Sequence, residues 1–156
     1  MSAVEDRLRD MNLSLPPTPQ AVGAYVPWVR TGNLVFLAGQ IPLRDGKALA
    51  VGKVGPGAEF TPESVGEWVR AAVLNGLAAL KAATGDLDRV ARVVKMTGYV
   101  ASAPGFTGQA AVLNHASALL LAAFGDAGRH ARVAVGVAGL PLGVPVEIEM
   151  IFEVKA

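Results

Sequence analysis

The chain has 156 residues, 52% of them hydrophobic, and its 14 Lys and Arg residues nearly balance its 13 Asp and Glu residues, which gives a net charge of +1. A chain of this length forms one domain with a sizeable core, and the absence of Cys excludes disulfides and thiol chemistry. The near-neutral charge and the lack of a Lys/Arg run argue against a protein that binds duplex nucleic acid.

Signals for a membrane span or for export are weak in this sequence. The longest run without Gly, Pro or polar residues covers 118–124, far short of the roughly 20 residues that a membrane span requires. Acidic and basic residues stand together at the start of the chain, where a secretory signal has a cationic beginning and then an apolar stretch. We therefore expect a cytoplasmic protein without membrane contact. The apolar excess also predicts an oligomer that covers hydrophobic surface.

The first 20 residues are predicted to form an N-terminal helix and a tether ahead of the main domain, residues 21–156. Ser2 and Glu5 have the spacing of a capping box, and a helix to about residue 11 follows from the apolar periodicity after them. The Pro-rich segment 15–19 cannot continue that helix and favours an extended path. A tether laid along the domain surface is favoured over a proline-rich ligand for a signalling domain.

The remainder of the chain alternates short β-prone runs with two helices. Turn signals at 31–33 and 45–46 separate the first strands, and a Gly-rich loop at 52–60 lacks any phosphate-binding pattern. The predicted elements are strands at 25–30, 34–37 and 47–51, a helix at 61–85, a strand at 92–101, a helix at 107–124, and strands at 131–138 and 144–154. This order predicts a single α+β domain with a mixed sheet and both helices packed on one face.

Arg132 is the first candidate for a ligand contact. Strand alternation places it on one face with the small residues Ala134, Gly136 and Ala138. Small neighbours leave space above the sheet, where a guanidinium group can bind a carboxylate through two parallel hydrogen bonds. Structural pairing with a Glu of the next strand explains the same pattern equally well.

The last predicted strand projects two carboxylates, Glu147 and Glu149, from one face of an otherwise apolar element. A buried carboxyl group near an Arg can hold a water molecule or relay a proton when its surroundings tune its pKa. Pairing with Arg or Lys on neighbouring strands is the alternative, and it suits Glu149 better than Glu147.

The other polar residues offer little conventional catalytic machinery. Asn114 lies in a helix that is apolar on nearly every side, so its amide needs partners, most simply in the core. His115 and His130 are too few and too far apart for a metal centre, and we interpret both as structural or interfacial. No Ser stands in a nucleophile elbow. The residues therefore favour electrostatic capture of a substrate by Arg132 with water- or carboxylate-assisted proton transfer.

Several short motifs, taken together in their order and spacing, resemble the RidA (YjgF) family of reactive-intermediate deaminases, also called endoribonuclease L-PSP-like. They are Gly23-Ala-Tyr-Val26, Gly32-Asn-Leu-Val35, Ala38-Gly-Gln-Ile-Pro42, Val112-Leu-Asn114, Ala131-Arg132, Leu140-Pro141 and Val146-Glu-Ile-Glu149. The resemblance implies a chorismate-mutase-like fold, a homotrimer, and active sites in the clefts between subunits.

The resemblance also implies a reaction. Family members hydrolyse 2-imino and enamine acids, such as 2-aminoacrylate, to 2-keto acids and ammonia, with neither a cofactor nor a metal. The implied roles are carboxylate binding by Arg132, substrate contacts from the backbone around Ala134 and Gly39, a pocket wall from Tyr25, water positioning by Glu147, and support of the site by Asn114.

This chain departs from the family pattern in ways typical of a longer subgroup. Ala38 stands where the family has Ser, His130 stands where it has Pro, and both the N-terminal helix and the loop at 52–60 are additions. Three functions remain open: an imine or enamine deaminase, a non-catalytic metabolite-binding or regulatory trimer that uses the same cleft, and an endoribonuclease or translation inhibitor. The last is least favoured, because the sequence has no basic patch.

Overall fold

A five-stranded sheet is the centre of the computed structural model, which describes residues 2–156; the first residue of the predicted N-terminal unit, Met1, lies outside them. The elements in chain order are α1 (Ala3–Asp10), β1 (Trp28–Thr31), β2 (Leu34–Leu37), β3 (Leu43–Arg44), β4 (Lys47–Ala48), α2 (Gly66–Thr84), β5 (Val90–Ala101), α3 (Gln109–Phe124), β6 (Ala131–Val137) and β7 (Val146–Val154). The main sheet has the order β1-β2-β7-β5-β6, and a separate ribbon pairs β3 with β4. Only β5 and β6 run parallel, so the predicted mixed sheet is confirmed.

The two long helices cover one face of this sheet, as the sequence predicts. Alternate residues of β7 are buried beneath them, from Val146 to Val154, and α2 and α3 contribute their own buried stripes to the same core. The contact between α3 and the sheet is close: a Cβ at Gly98 would overlap Leu113. Glycine at that position therefore sets the distance between helix and sheet, and the α+β fold class is confirmed.

Several predicted boundaries differ from the structure, and three of them have clear local reasons. The first strand begins at Trp28 instead of residue 25, because Pro27 has no N–H and takes part only through its carbonyl oxygen, which accepts from the Ala38 N–H at 3.0 Å. Helix α2 begins at Gly66 and not at Thr61. The side chains of Thr61 and Ser64 bond each other's backbone N–H groups as in a capping box, but the next turn is tight, with the Gly66 N–H on the Glu63 carbonyl at 3.2 Å, and the regular helix begins only there. The strand predicted at 47–51 ends at Ala48, because it pairs only with the two-residue β3.

The N-terminal helix is confirmed and is anchored to the domain. Ser2 caps α1, with its hydroxyl oxygen 3.4 Å from the Glu5 N–H, and Val4 and Leu8 are buried in the common core. Asp88 accepts hydrogen bonds from the Ser2 hydroxyl and from the first backbone N–H groups of the helix, at 2.8–3.0 Å. These contacts hold the pKa of Asp88 below its usual value, chiefly through the backbone N–H groups. The tether that follows α1 therefore starts at a fixed position on the domain.

Helix α3 and the turn after it, Gln109–Gly128, are long and apolar enough to cross a membrane by length and composition alone. In the structure the helix lies on the sheet, and its inward side is part of the core: Val112, Leu113, Ala116, Leu119 and Leu120 are buried. The core helix of a soluble domain passes the same test of composition. We interpret α3 as such a helix.

The other face of the main sheet carries several exposed apolar side chains. Val29 and Phe36 lie on β1 and β2, and Val133 and Val135 lie on β6. No element within residues 2–156 packs over them, so we call this side the open face. An exposed apolar surface of this kind is typical of an interface. It agrees with the oligomer that the composition predicts, and the homotrimer itself stays a prediction.

Candidate functional site

A cavity of about 490 Å³ lies between the tether, the segment after β2 and the start of β7. Three of the predicted site residues line it, namely Tyr25, Gly39 and Glu147. Residues 19–22, at the end of the tether and the start of the main domain, line one wall, and we call them the N-terminal arm; the turn before β7 contributes Leu142. We call this cavity the arm pocket, because the N-terminal arm forms one of its walls. The three residues were singled out from separate parts of the sequence, and the fold brings them together.

Glu147 is the only acidic or basic residue that lines the arm pocket among the residues that the structure describes. Its carboxylate lies directly over the main chain of Gly39, where an added Cβ would overlap its Oε1 atom. Burial raises the pKa of Glu147 above its usual value, and the charge of Glu149 raises it further. Neither carboxylate forms an ion pair within residues 2–156. A carboxyl group with a raised pKa is suited to proton transfer near neutral pH.

The segment that carries Gly39 is fixed from two sides. Gln40 and Ile148 exchange backbone hydrogen bonds at 2.8 Å, which join this segment to β7. Asn75, buried in α2, donates its amide N–H groups to the carbonyl oxygens of Ile41 and Leu43 at 2.8 and 3.0 Å. Sequence analysis missed Asn75, although a polar residue inside an apolar helix was available as a signal. The floor of the pocket is therefore rigidly held beside Glu147.

Arg132 lies in a second cluster, on the sheet edge formed by β6. Its Nη1 atom donates to Asn114 Oδ1 at 2.9 Å and to Ser117 Oγ at 3.2 Å. His130 Nδ1 donates to the Gly128 carbonyl at 2.7 Å, so in the neutral ring Nε2 accepts from the Ser117 hydroxyl at 3.0 Å. Within residues 2–156, Nε and Nη2 of Arg132 bond no group. A guanidinium that is oriented in this way can take a carboxylate side-on.

The structure corrects two interpretations of this second cluster. Arg132 pairs with amide and hydroxyl groups of α3 and not with a Glu of the next strand. Asn114 is exposed on α3 and not buried in the core, because the outer side of that helix faces solvent and only its inner stripe is covered. Its amide oxygen instead orients Arg132. Ala134 follows Arg132 on the same face and packs against the core.

Arg132 and Glu147 do not meet within one chain. Arg132 of β6 lies opposite Met96 of β5, and Met96 is fully buried. The Arg132 side chain therefore extends from the face of the sheet that the helices cover. Glu147 is paired with Tyr99, three residues further along β5, and therefore points to the other side. The two residues therefore do not lie side by side in a single copy, because the two strands present them on opposite faces of the sheet.

The remaining candidates have structural partners. The exposed Glu149 accepts from the Tyr99 hydroxyl at 3.3 Å instead of pairing with a cation. This carboxylate, after burial, contributes to the raised pKa of Tyr99. His115 Nε2 donates to the Pro62 carbonyl at 2.8 Å and ties α3 to the turn ahead of α2. Among residues 2–156 no three His, Asp or Glu side chains are grouped as metal ligands.

Comparisons with known proteins cover almost the whole chain. The family model described as "YjgF/chorismate_mutase-like, putative endoribonuclease" matches residues 5–153. Protein TCP17 of Trypanosoma cruzi is 40% identical over 97% of this chain and 94% of its own length.

Solved structures agree with this match. The protein Atu1372 of Agrobacterium tumefaciens, whose function is unknown, is 40% identical with a TM-score of 0.90, over 98% of this chain and 93% of that one. Escherichia coli TdcF with bound serine is 27% identical with a TM-score of 0.63, over 89% of this chain and 94% of that one. The resemblance seen in the sequence is thereby confirmed, and the chain belongs to the YjgF/chorismate-mutase-like family, which includes the RidA proteins.

Proposed function

We propose that this protein hydrolyses 2-imino acids and their enamine tautomers to 2-keto acids and ammonia, at a site that two copies of the chain share. The observation that carries the proposal is the separation of two incomplete half-sites. The arm pocket has an acid with a raised pKa but no Lys or Arg among its described lining residues. Among residues 2–156, Arg132 has unpaired N–H groups but no acidic partner. Each half supplies what the other lacks.

Association through the open face supports this arrangement. The apolar side chains of that face are exposed in one copy and need a cover. Tyr25 at the mouth of the arm pocket is also exposed. A second copy that covers this surface can place its Arg132 at the mouth of the pocket. The site is then complete only in the oligomer, which we expect to be a homotrimer.

The reaction needs only these groups. The substrate R–C(=NH₂⁺)–COO⁻ reacts with H₂O to give R–C(=O)–COO⁻ and NH₄⁺. Arg132 binds the carboxylate through two N–H groups and fixes the C=N carbon above Glu147. Glu147 takes one proton from water as the C–O bond forms and passes it to the nitrogen. As the C–N bond breaks and the carbonyl forms, Glu147 takes the remaining hydroxyl proton and gives it to the departing NH₃, which leaves as NH₄⁺. The carboxylate is regenerated, so no redox step and no covalent enzyme intermediate is involved.

Two further points bear on the substrate. The related TdcF structure holds serine, a small molecule with a carboxylate beside its nitrogen-bearing carbon. The family description names an endoribonuclease, but a net charge of +1 offers little attraction for RNA phosphates. The carboxylate-binding geometry of Arg132 therefore favours an imino acid over RNA.

The first experiment measures keto-acid formation from 2-aminoacrylate, which a serine dehydratase generates in the cuvette. Wild type is compared with Arg132→Ala and with the control Arg129→Ala, which removes an exposed Arg paired only with the exposed Asp126. Loss of a bidentate carboxylate contact removes about 2 kcal/mol, or about 30-fold in rate. No acceleration by wild type of this imine or of the larger imines considered below would reject catalysis, and keto-acid binding that depends on Arg132 would then identify the non-catalytic alternative.

The shared site is tested by mixing two inactive variants. Arg132→Ala chains and Glu147→Gln chains are unfolded together in equal amounts and refolded. Each site then draws its Arg132 and its Glu147 from different chains, so about a quarter of the sites hold both native residues. We expect activity to return to about a quarter of the wild-type rate. A mixture that stays inactive, although each variant refolds to the wild-type oligomer, would contradict a shared site.

A further inference from the structure

We propose that the N-terminal arm and Leu142 adapt this site to imino acids with a large apolar side chain, such as those derived from leucine or phenylalanine. This inference rests on the proposed function and specifies its substrate. The arm residues 19–22 and Leu142 line the arm pocket beside Ala38, where the chain has no hydroxyl group. Pro19, Ala21, Val22 and Leu142 give this end of the pocket an apolar surface on which a substrate side chain can lie, and Gln20 beside them is exposed to solvent.

Leu142 has a backbone conformation that leucine rarely adopts. Its φ of 56° and ψ of 14° fall in the left-handed region, which glycine or asparagine occupies more easily. The leucine side chain does not compensate by packing in the core, since it is 60% exposed. A bulky side chain that is held in a disfavoured conformation, exposed, and at the edge of a cavity is typical of a ligand contact.

The arm presents a second unpartnered apolar group. Val22 is 81% exposed and lines the same cavity. The wall around it is held in place because α1 is anchored by buried Leu8 and by Asp88, and because the prolines between α1 and the pocket stiffen the chain.

The size and polarity of the cavity agree with this substrate class. The cavity of about 490 Å³ is within the usual range for ligand pockets, roughly 300–1,000 Å³. 2-Aminoacrylate has about six non-hydrogen atoms and, even at the roughly 30 Å³ that a water molecule occupies, needs under about 180 Å³. The buried amide of Asn75 is already used on backbone carbonyls, and the Gln40 amide donates to the Ala38 carbonyl at 3.1 Å. With these N–H groups already bonded and Gln20 exposed to solvent, a polar substrate side chain would lose water in the pocket and find few N–H donors.

The experiment compares imines that an L-amino-acid oxidase generates from leucine, phenylalanine and alanine. Semicarbazide traps each free imine, and an active deaminase lowers the trapped amount. We expect kcat/KM for the leucine-derived imine to exceed that for the alanine-derived imine at least tenfold, because each buried methylene group adds to the discrimination. Leu142→Asn and Val22→Ser should each lower this ratio at least fivefold. Asn tolerates the left-handed conformation, so the thermal midpoint of Leu142→Asn should not fall.

Controls separate this inference from the proposed function. Leu121→Gln changes an exposed leucine outside the arm pocket and should leave the ratio unchanged. Turnover that depends on Arg132 but shows no preference for the larger imine would overturn the inference alone.

If no imine is turned over, the proposed function fails, and calorimetry with 4-methyl-2-oxopentanoate and pyruvate still tests the pocket. Binding of the larger acid at least tenfold more tightly, with the difference reduced in Leu142→Asn, supports the inference, and equal affinities overturn it. A Leu142→Asn variant that changes the oligomeric state by light scattering but keeps the substrate preference would assign Leu142 to a subunit interface instead.

Discussion

Replacement of Glu147 by Gln should stabilise the protein while it removes activity. Glu147 and Glu149 project from the same face of β7, two residues and so about 6.6 Å apart. At that distance two like charges repel by about 0.6 kcal/mol at the dielectric constant of water and by about 2.5 kcal/mol at an effective value of 20. Because Glu149 is exposed, the lower part of this range applies. We expect Glu147→Gln to raise the free energy of unfolding by about 0.5–1 kcal/mol at pH 8.

The pH dependence follows from the direction of the pKa shift. Burial, and then the charge of Glu149, raises the pKa of Glu147 in the folded protein above its value in the unfolded chain. The contribution of Glu147 to stability is therefore complete below the unfolded pKa and is lost as pH rises through the folded pKa. Glu147→Gln removes the loss of stability that ionisation of Glu147 causes at high pH. Its stabilising effect should be present at pH 8 and absent near pH 4.

Urea unfolding at pH 4 and pH 8 measures this effect, with Trp28 and Trp68 as fluorescent reporters and with equal concentrations of both proteins. Keto-acid formation, measured on the same samples, should fall at least about 100-fold, which is the usual cost of losing a general acid or base. A variant that is no more stable than wild type at pH 8, or that is stabilised equally at both pH values, would refute the electrostatic argument. Full activity in the variant would refute the role of Glu147.

Three other substitutions test the surroundings of the site. Gly39→Ala places a Cβ where Glu147 Oε1 lies, so kcat/KM should fall at least about tenfold while the thermal midpoint changes little, since only a flexible side chain must move. Ser117→Ala removes one of two hydrogen bonds to Arg132 and should weaken keto-acid binding about three- to tenfold by calorimetry; unchanged affinity would exclude a positioning role. Asp88→Asn weakens the anchor of α1, and hydrogen exchange of that helix should accelerate at pH 7. The pKa of Asp88 is lowered in the folded state, so the difference in exchange rate between the variant and wild type should shrink as pH falls through that lowered pKa.

Local patterns in the sequence were enough to predict most of the fold. The period-two alternation from Val146 to Val154 indicates a strand with one buried face, and Gly32-Asn33 marks the turn between β1 and β2. The errors arose at the ends of elements. At the start of α2, for example, Thr61 and Ser64 form the capping bonds that a helix start at Thr61 predicts, but the tight turn from Glu63 to Gly66 comes before the regular helix.

The arrangement of the site depended on strand pairing, which no local pattern contains. Alternation assigns Arg132 and Glu147 each to a face of its own strand, but only the register against β5 shows that the two faces are opposite. The contact between Gly39 and Glu147 likewise depends on the bridge from Gln40 to Ile148, which joins distant parts of the chain. The residue types could thus be chosen from the sequence, while their division into two half-sites could not.

The position of β7 in the sheet has a consequence for how the protein folds. This strand follows every other strand of the sheet in the chain, yet it lies between β2 and β5, with Phe152 opposite both Val35 and Val93. Until β7 is in place, the β1-β2 hairpin has no partner in the sheet and the antiparallel edge of β5 is unpaired. Closing contacts between such distant segments is slow, and unpaired edges invite aggregation. We therefore expect the sheet to assemble late and cooperatively. Chains that end before residue 146 should aggregate readily, because these edges stay unpaired.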